Sequence, residues 1–228
     1  MKKTLVFGFA ALFAVAAGIG FQPGGGDDSG AAESATINPV VLVHGFTGSP
    51  SSMATLKSRF EAAGRQAFSI DLPGENNVTN AQAIATFVNN VKAQTGAAKV
   101  DLVGHSMGGL STRYYLKSLG GTANVSEYVS LGTPQYGVWS ACALPTSYGG
   151  QMCPWSSFLS SLNSGDDTPG TVIYTTIYST GDELVPNSSS RLDGGACHKQ
   201  VSGISHSGLT QDAGVFAHVL TAVDGTCP

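Results

Sequence analysis

The chain has 228 residues, of which 42% are hydrophobic and only 11% are charged, and its formal net charge is −4. A chain of this length and apolar content can bury the core of a globular domain, which excludes an intrinsically disordered protein. The acidic balance argues against nucleic acid as a partner, and no internal repeat indicates a solenoid or a propeller.

The N-terminus has the pattern of an export signal. Lys2 and Lys3 precede an uncharged, mostly apolar run over residues 4–21, within which Ala14-Val15-Ala16 resembles a cleavage site. The pattern predicts a secretory signal peptide in residues 1–21, with an uncleaved membrane anchor as the alternative. Residues 22–36 are rich in Gly and acidic residues and are predicted to form a flexible linker. Residues 37–228 are then the folded domain, located outside the cell or in the periplasm.

Two kinds of hydrophobic pattern alternate along the folded part. Short runs rich in Val and Ile predict buried strands over residues 39–43, 66–71, 99–103, 125–131, 171–178 and 198–202. Apolar residues spaced three or four apart predict helices over residues 51–63, 79–95, 107–119 and 208–223. This alternation indicates an α/β fold with a mostly parallel sheet of about six strands and helices on both faces. Functional groups are then expected at the carboxyl ends of the strands.

Residues 133–169 interrupt this alternation, because they are too many for an ordinary connection. The segment leaves the predicted sheet at the carboxyl end of a strand, so we expect it to lie beside the functional site. Its tryptophans, Trp139 and Trp155, are candidate substrate-binding residues. The alternative is a surface excursion held by a disulfide.

The four cysteines follow the predicted signal peptide by more than a hundred residues, and an even number in an exported chain indicates two disulfides. Of the three possible pairings, proximity along the chain favours Cys142 with Cys153 and Cys197 with Cys227. Their spacings do not match a zinc site. We expect no metal ion and no cofactor.

A serine motif lies between the third predicted strand and the helix that follows it. Residues 104–108 read Gly-His-Ser-Met-Gly, the G-x-S-x-G pattern, and strand–turn–helix is the context in which this pattern marks a nucleophile. The flanking glycines leave room for a tight turn that projects the Ser106 hydroxyl above the sheet. Ser106 is therefore the predicted nucleophile.

A serine at its ordinary pKa needs a base. Five histidines are available: His44, His105, His198, His206 and His218. His44 is expected to shape a loop, and His105 to point away from the serine hydroxyl. In this fold class the order along the chain is serine, acid, histidine, and His206 lies in a loop after the last predicted strand. His206 is therefore the predicted base.

The acid must lie between the serine and the histidine, at a strand end. The candidates are Glu127, Asp166, Asp167, Asp182, Glu183 and Asp193. Asp182 directly follows the longest predicted strand and is the predicted acid. Glu183 would face the opposite way if the chain stayed extended, and Asp193 lies in a later loop.

An oxyanion formed during attack by Ser106 needs two backbone N–H donors. The first is expected from Met107, the residue after the nucleophile. The second is expected from the loop after the first strand, where we choose Phe46. These assignments concern main-chain groups, so side-chain identity hardly tests them.

Several motifs together resemble the small secreted bacterial lipases, in particular the minimal Bacillus lipase A type and related actinomycete lipases. The similarity covers about residues 38–222, and its motifs are Val43-His44-Gly45-Phe46, residues 104–109, Leu131-Gly132-Thr133-Pro134, Ile177-Tyr178-Ser179 with Asp182, Arg191-Leu192-Asp193-Gly194 and His206-Ser207-Gly208-Leu209. The resemblance implies a minimal α/β-hydrolase fold, the Ser106–Asp182–His206 triad and hydrolysis of carboxylic esters, including acylglycerols. Such substrates can be presented at an oil–water interface. No obligate protein partner is implied.

The sequence departs from the minimal Bacillus type in two places. Residues 133–169 are longer and can form a disulfide, so lidless behaviour and a chain-length preference do not carry over. Gly104 replaces an alanine and restores the general motif. A polyester or cutin hydrolase with the same mechanism remains an alternative, as do, less favoured, a peptidase and a secreted binding protein without catalysis.

Overall fold

A computed structural model of the chain describes residues 37–228, so the signal peptide and linker expected in residues 1–36 lie outside the described part. No helix within residues 37–228 combines the length and the apolar character needed to cross a membrane. We number strands and helices in chain order and refer to the short 3₁₀ turns by their residues.

A single six-stranded sheet organises the described residues, in the order β2-β1-β3-β4-β5-β6. All five pairings are parallel. The strands are β1 (Val40–Val43), β2 (Ala67–Ile70), β3 (Val100–His105), β4 (Val125–Leu131), β5 (Ile173–Ser179) and β6 (Cys197–Val201). This arrangement confirms the predicted fold class and all six predicted strands, with bounds that differ by at most two residues.

Six helices accompany the sheet: α1 (Ala54–Ala62), α2 (Asn77–Thr95), α3 (Met107–Ser118), α4 (Ser157–Leu162), α5 (Asn187–Ser190) and α6 (Ala213–Val223). The first and last predicted helices each split into a 3₁₀ turn and a shorter α-helix. Asp212 starts α6 because its side chain accepts a hydrogen bond from the Val215 N–H. Asn76 caps α2 in the same way and starts it two residues before the predicted position.

Alternate residues of each strand point to opposite faces of the sheet, and both faces are covered. On one face, Val41, Val43 and Leu102 pack against α2 and α3. On the other face, Val40 and Leu42 pack against α1 and α6. Burial on both sides explains why the strands read as continuous apolar runs rather than as alternating patterns.

The long segment of residues 133–169 is a packed part of the domain. It forms two 3₁₀ turns, Trp139–Ala143 and Gly150–Met152, before α4. A third apolar cluster joins it to α3, and this cluster consists of Met107, Leu110, Ala141, Met152, Phe158, Leu159 and Leu162. The segment borders the carboxyl edge of the sheet, the position expected from its exit after β4.

Two disulfides close loops at different places in the domain. Cys142 pairs with Cys153 inside the long segment, with 4.6 Å between their Cα atoms. Cys197 at the start of β6 pairs with Cys227 near the C-terminus, with 5.5 Å between Cα atoms. This is the pairing that proximity along the sequence predicts.

Candidate active site

Ser106 sits on a strained turn between β3 and α3. Its φ is 54° and its ψ is −129°, a conformation that residues with a side chain rarely adopt. The Ser106 N–H donates to the Leu131 carbonyl at 2.9 Å, which ties the turn to the end of β4. The hydroxyl therefore projects from the carboxyl edge of the sheet at the N-terminus of α3, where the partial positive charge of the helix favours anions.

Close packing around the turn excludes side chains at its glycines. A Cβ atom added to Gly104 would lie 2.7 Å from the Cα of Gly109, and one added to Gly45 would lie 2.8 Å from the Cβ of Ser106. Backbone atoms cannot yield at such distances. The first glycine of the G-x-S-x-G motif, Gly104, is therefore required because no other residue fits there. Glycine is required for the same reason at Gly45, in the neighbouring loop after β1.

Asp182 and His206 come together from the loops after β5 and β6. The Nδ1 of His206 lies 2.8 Å from Oδ2 of Asp182, and both side chains are almost completely buried. The other carboxylate oxygen of Asp182 accepts the N–H groups of Leu184 and Val185. Burial raises the pKa of Asp182, but hydrogen bonds from His206 and these amides outweigh it, and the net pKa is below the ordinary value. An ionised Asp182 holds the His206 proton on Nδ1 and leaves Nε2 free to accept another.

Two further side chains, those of Glu183 and His105, hold the main chain of His206. Glu183 accepts the His206 N–H at 3.0 Å, because the chain turns at Thr180 and Gly181 instead of staying extended. This corrects the expectation that Glu183 faces away from the site. The Nε2 of His105 lies 3.0 Å from the His206 carbonyl oxygen, and the two rings are 4.7 Å apart. Burial, reinforced by the charge of His206, lowers the pKa of His105 to about 4, so His105 is neutral at pH 7 and its Nε2–H can donate to that carbonyl.

The remaining histidines have other positions. His44 shapes the loop after β1 as expected, since its Nδ1 bonds the Gly45 carbonyl and its Nε2 accepts the Leu72 N–H. His198 lies in β6 and bonds Thr176, and His218 lies on α6. None of these three lines the cavity at Ser106.

Three of the other candidate acids lie apart from His206 in different networks. Asp167 pairs with the buried Arg113, and the backbone N–H of Asp193 bonds the Tyr136 hydroxyl. Glu127 lies on β4, close to the charge of Asp101. Asp182 is therefore the candidate acid whose carboxylate contacts the imidazole ring of His206, whereas that of Glu183 contacts only its main chain.

The two backbone N–H groups predicted to bind the oxyanion are free to donate a hydrogen bond. Within residues 37–228, neither the Phe46 N–H nor the Met107 N–H is bonded to an acceptor. Thr47, next to Phe46, has a φ of 54°, and its N–H donates to Glu75, which fixes the loop. Gly45 packs against Ser106 directly before Phe46. Phe46 thus follows a residue that packs against the nucleophile, and Met107 directly follows the nucleophile itself.

A cavity of about 360 Å³ opens above Ser106. It is lined by the loop after β1, the long segment, the two loops that carry Asp182 and His206, and the nucleophile turn; the lining residues are Gly45, Phe46, Thr47, Gly48, Ser52, His105, Ser106, Pro134, Val138, Ser140, Ala141, Leu144, Met152, Leu184, Val185 and His206. Most of these side chains are apolar, and the polar ones include Ser106 and His206. This combination is typical of a small-molecule site.

Trp139 and Trp155, the candidate substrate-binding residues, are not among the residues that line this cavity. Their rings pack edge to face, 4.1 Å between centroids, and remain 69% and 62% exposed. The backbone explains the outcome, because the neighbouring residues Val138 and Met152 are turned inward instead. The sequence showed that the segment is apolar, but not which of its residues point inward.

Within the described residues, no three side chains of His, Cys, Asp or Glu approach closely enough to hold a metal ion.

A parallel sheet that carries a serine on a strained turn after β3, an acid after β5 and a histidine after β6 defines an α/β-hydrolase. The chain belongs to the lipase (class 2) family, which it matches over residues 37–219.

Two curated proteins are similar to part of the chain. A triacylglycerol lipase of Pseudarthrobacter phenanthrenivorans is 31% identical over 113 residues, which cover 45% of this chain and 35% of that protein. A triacylglycerol lipase of Burkholderia plantarii is also 31% identical over 113 residues, covering 45% of this chain and 31% of that protein. The chain thus spans about a third of the length of the curated relatives it matches.

Two solved structures share the fold. The mature form of Bacillus licheniformis lipase BlEst2 superposes with a TM-score of 0.72 at 19% identity, covering 82% of this chain and 91% of that one. Aspergillus fumigatus lipase B superposes with a TM-score of 0.73 at 20% identity, covering 84% and 53%.

Proposed function

We propose that this protein is an exported carboxylic ester hydrolase, with acylglycerols among its substrates, that acts through Ser106, His206 and Asp182. The observation that carries the proposal is the 2.8 Å bond between Asp182 and His206 at a cavity that His206 shares with the strained Ser106. Membership of the lipase family supports the same reaction.

The reaction is acyl transfer in two steps. Nε2 of His206 takes the Ser106 proton while the serine oxygen attacks the ester carbonyl carbon. The resulting oxyanion accepts hydrogen bonds from the N–H groups of Phe46 and Met107. His206 then gives the proton to the leaving alcohol, and the acyl group stays on Ser106. A water molecule repeats the sequence and releases the carboxylic acid.

Replacement of the nucleophile tests the proposal. Ser106→Ala should abolish the release of p-nitrophenol from acetate and butyrate esters, and His206→Ala should be nearly as severe because these residues act as a unit. Ser161→Ala, at an exposed serine of α4, is the matched control and should keep the parent rate. A Ser106→Ala rate within tenfold of the parent would overturn the proposal. A peptide substrate measured in parallel separates an esterase from a peptidase.

We further propose that the substrate is met at a lipid–water interface. The exposed pair Trp139 and Trp155 supports this, as does exposed Leu184 at the cavity. Residues 133–164 contain no Asp, Glu, Lys, Arg or His. An uncharged surface with exposed aromatic rings next to the cavity suits contact with lipid or with a polyester, because tryptophan prefers the boundary between apolar and aqueous phases.

Emulsified and dissolved esters distinguish surface contact from catalysis. The double variant Trp139→Ala/Trp155→Ala should lose activity on emulsified tributyrin and on polyester particles but retain most of its activity on dissolved p-nitrophenyl butyrate. Ile37→Ala, at an exposed isoleucine before β1 on the opposite edge of the sheet, is the control. Equal losses on both forms of substrate would contradict an interfacial role for the tryptophans.

Export is part of the proposal. Two disulfides within one domain suit an oxidising compartment outside the cytoplasm. The charged and apolar pattern of residues 1–21 supports a cleaved signal peptide. Fractionation of the cells followed by N-terminal sequencing tests this: a cleaved protein is expected in the culture medium or periplasm, whereas a membrane-bound protein that retains residues 1–16 would indicate an anchor.

A further inference from the structure

The residues that line the cavity divide into two groups by the element that carries them. Leu184 and Val185 belong to the loop of Asp182 and lie with His206. Val138, Ser140, Ala141, Leu144 and Met152 belong to the long segment. Phe46 joins the second group, because a Cβ atom added to Gly149 would lie 2.7 Å from the Phe46 ring and 3.0 Å from Leu144. The cavity therefore has one wall from the acid and histidine loops and another from the long segment.

The chemistry of ester cleavage gives the two walls different roles. The leaving alcohol receives its proton from His206, so the alcohol part of the ester lies on the side of His206, Leu184 and Val185. The acyl part extends from the carbonyl carbon in the other direction. It is left facing the wall of Val138, Ala141, Leu144 and Met152.

The second wall is fastened to the rest of the domain. Arg113 of α3 is fully buried and bonds Asp167, Asn163 and Gln135, all within the long segment. Gln151 accepts both the backbone N–H and the side-chain N–H of Asn77 at the start of α2. These buried bonds hold the wall in one position, since separating a buried polar group from its partner is strongly unfavourable.

A disulfide closes a loop within the segment that forms this wall. Cys142 directly follows Ala141, and Cys153 directly follows Met152. The Val138 N–H donates to the Met152 carbonyl at 2.8 Å, so a hydrogen bond holds this loop closed in addition to the disulfide. Leu144 lies within the loop that the disulfide closes. The positions of three lining residues thus depend on one covalent link.

We propose that Val138, Ala141, Leu144 and Met152, held in place by the Cys142–Cys153 disulfide, form a fixed acyl-binding wall that determines which acyl chains the enzyme accepts. The inference rests on the proposed ester hydrolysis. A volume of about 360 Å³ is at the lower end of the range for ligand pockets, so the cavity favours short and medium acyl chains. A fixed wall makes this preference a property of the enzyme on dissolved esters as well as at a lipid surface.

Substitution of Leu144 tests the wall directly, because its side chain is only partly buried and tolerates change. The measured quantity is the ratio of kcat/KM for p-nitrophenyl octanoate to that for the acetate. Leu144→Trp should lower the ratio by about tenfold, the usual effect of filling space in an apolar pocket, and Leu144→Ala should raise it. Leu184→Trp is the matched control on the other wall. It should leave the acyl ratio unchanged and alter the ratio between methyl and octyl butyrate.

Removal of each disulfide separates placement of the wall from general stability. Cys142→Ser/Cys153→Ser should shift the octanoate-to-acetate ratio, with circular dichroism used to choose a temperature at which the variant is folded. Cys197→Ser/Cys227→Ser should keep the parent ratio, because that disulfide joins β6 to the C-terminus and neither cysteine lines the cavity. A large change in this second variant and none in the first would overturn the proposal.

The outcomes also distinguish this proposal from the one on which it rests. If Ser106→Ala abolishes hydrolysis but both Leu144 variants keep the parent acyl ratio, ester hydrolysis stands and the acyl wall is wrong. If Leu184→Trp changes the acyl ratio and Leu144→Trp changes the alcohol ratio, the two sides are reversed. If Ser106→Ala retains activity, the proposed function itself fails.

Discussion

The main-chain N–H of His206 donates a hydrogen bond to Oε2 of Glu183 at 3.0 Å, although the two residues are 23 positions apart in the sequence. This bond lowers the pKa of Glu183, which stays ionised and remains a strong acceptor. Because the His206 carbonyl is held by His105 at the same time, both polar groups of its backbone are fixed by side chains. Glu183 and His105 are thus positioning residues for the proposed base.

Replacing Glu183 should reduce activity through the position of His206. Glu183→Ala is expected to lower kcat by about 10- to 100-fold with little change in KM, since small displacements of a catalytic group have effects of this size. Glu183→Gln retains an acceptor oxygen and should recover most of the loss. Glu61→Ala, which removes a surface carboxylate on α1, serves as the control for charge alone. Equal activity of Glu183→Ala and the parent would contradict the positioning role.

Asp182→Asn should be far more severe than any change at Glu183. The substitution keeps the shape of the side chain but removes the charge that orients His206, and in serine hydrolases this costs about 10⁴-fold in kcat. Asp193→Asn is the matched control, since Asp193 lies between the serine and the histidine in sequence but contacts Tyr136. A severe loss of activity in Asp193→Asn together with a mild loss in Asp182→Asn would mean that Asp182 is not the acid.

Arg113 should matter for stability more than its position on α3 would suggest. Arg113→Ala leaves Asp167 without its closest partner in a buried site, and breaking such a pair costs about 3–5 kcal/mol. Urea unfolding measures the loss. Arg191→Ala, at an exposed arginine, is expected to change the free energy of unfolding by less than about 1 kcal/mol. Similar small losses in both variants would show that Arg113 does not anchor the long segment.

Buried carboxyls at the opposite edge of the sheet should make stability fall as the pH rises. Burial, together with the charge of Asp101, raises the pKa of Glu127 to about 7, and burial raises the pKa of Asp101 to about 6. The folded state then binds protons more tightly than the unfolded state, so the destabilisation grows from about pH 4 and is complete above about pH 7. The positive charges of Arg65 and Lys99 lower the pKa of Glu127 and so offset only part of the increase.

Glu127→Gln should therefore raise the Tm at pH 8, by about 2–4 °C for each kcal/mol of relieved cost. The difference from the parent should shrink as the pH is lowered and vanish near pH 4. Glu61→Gln, at a surface pair with Lys57, should show no such trend. A Glu127→Gln variant that is less stable than the parent at pH 8 would mean that the ionised carboxylate has a partner that compensates for its burial.

Most of the fold could be predicted because the relevant signals are local. The strands are buried on both faces and therefore read as apolar runs, and the turn at Ser106 requires glycines at fixed spacings. The order of serine, acid and histidine follows from a topology in which parallel strands all end at one edge. The short helices α4 and α5 were not predicted, because a helix of one or two turns has too few residues to show a period.

The sequence by itself determined the α/β architecture, the candidate triad and the disulfide pairing, since each depends on neighbouring residues or on their order along the chain. Only the tertiary structure decided which residues surround the triad. Glu183 reaches His206 because the chain turns at Gly181, and Met152 and Leu144 face the cavity while Trp139 and Trp155 face solvent. In an irregular segment no hydrophobic period distinguishes the inner from the outer face. The directions of these side chains are set by packing against α3 and by the Cys142–Cys153 link.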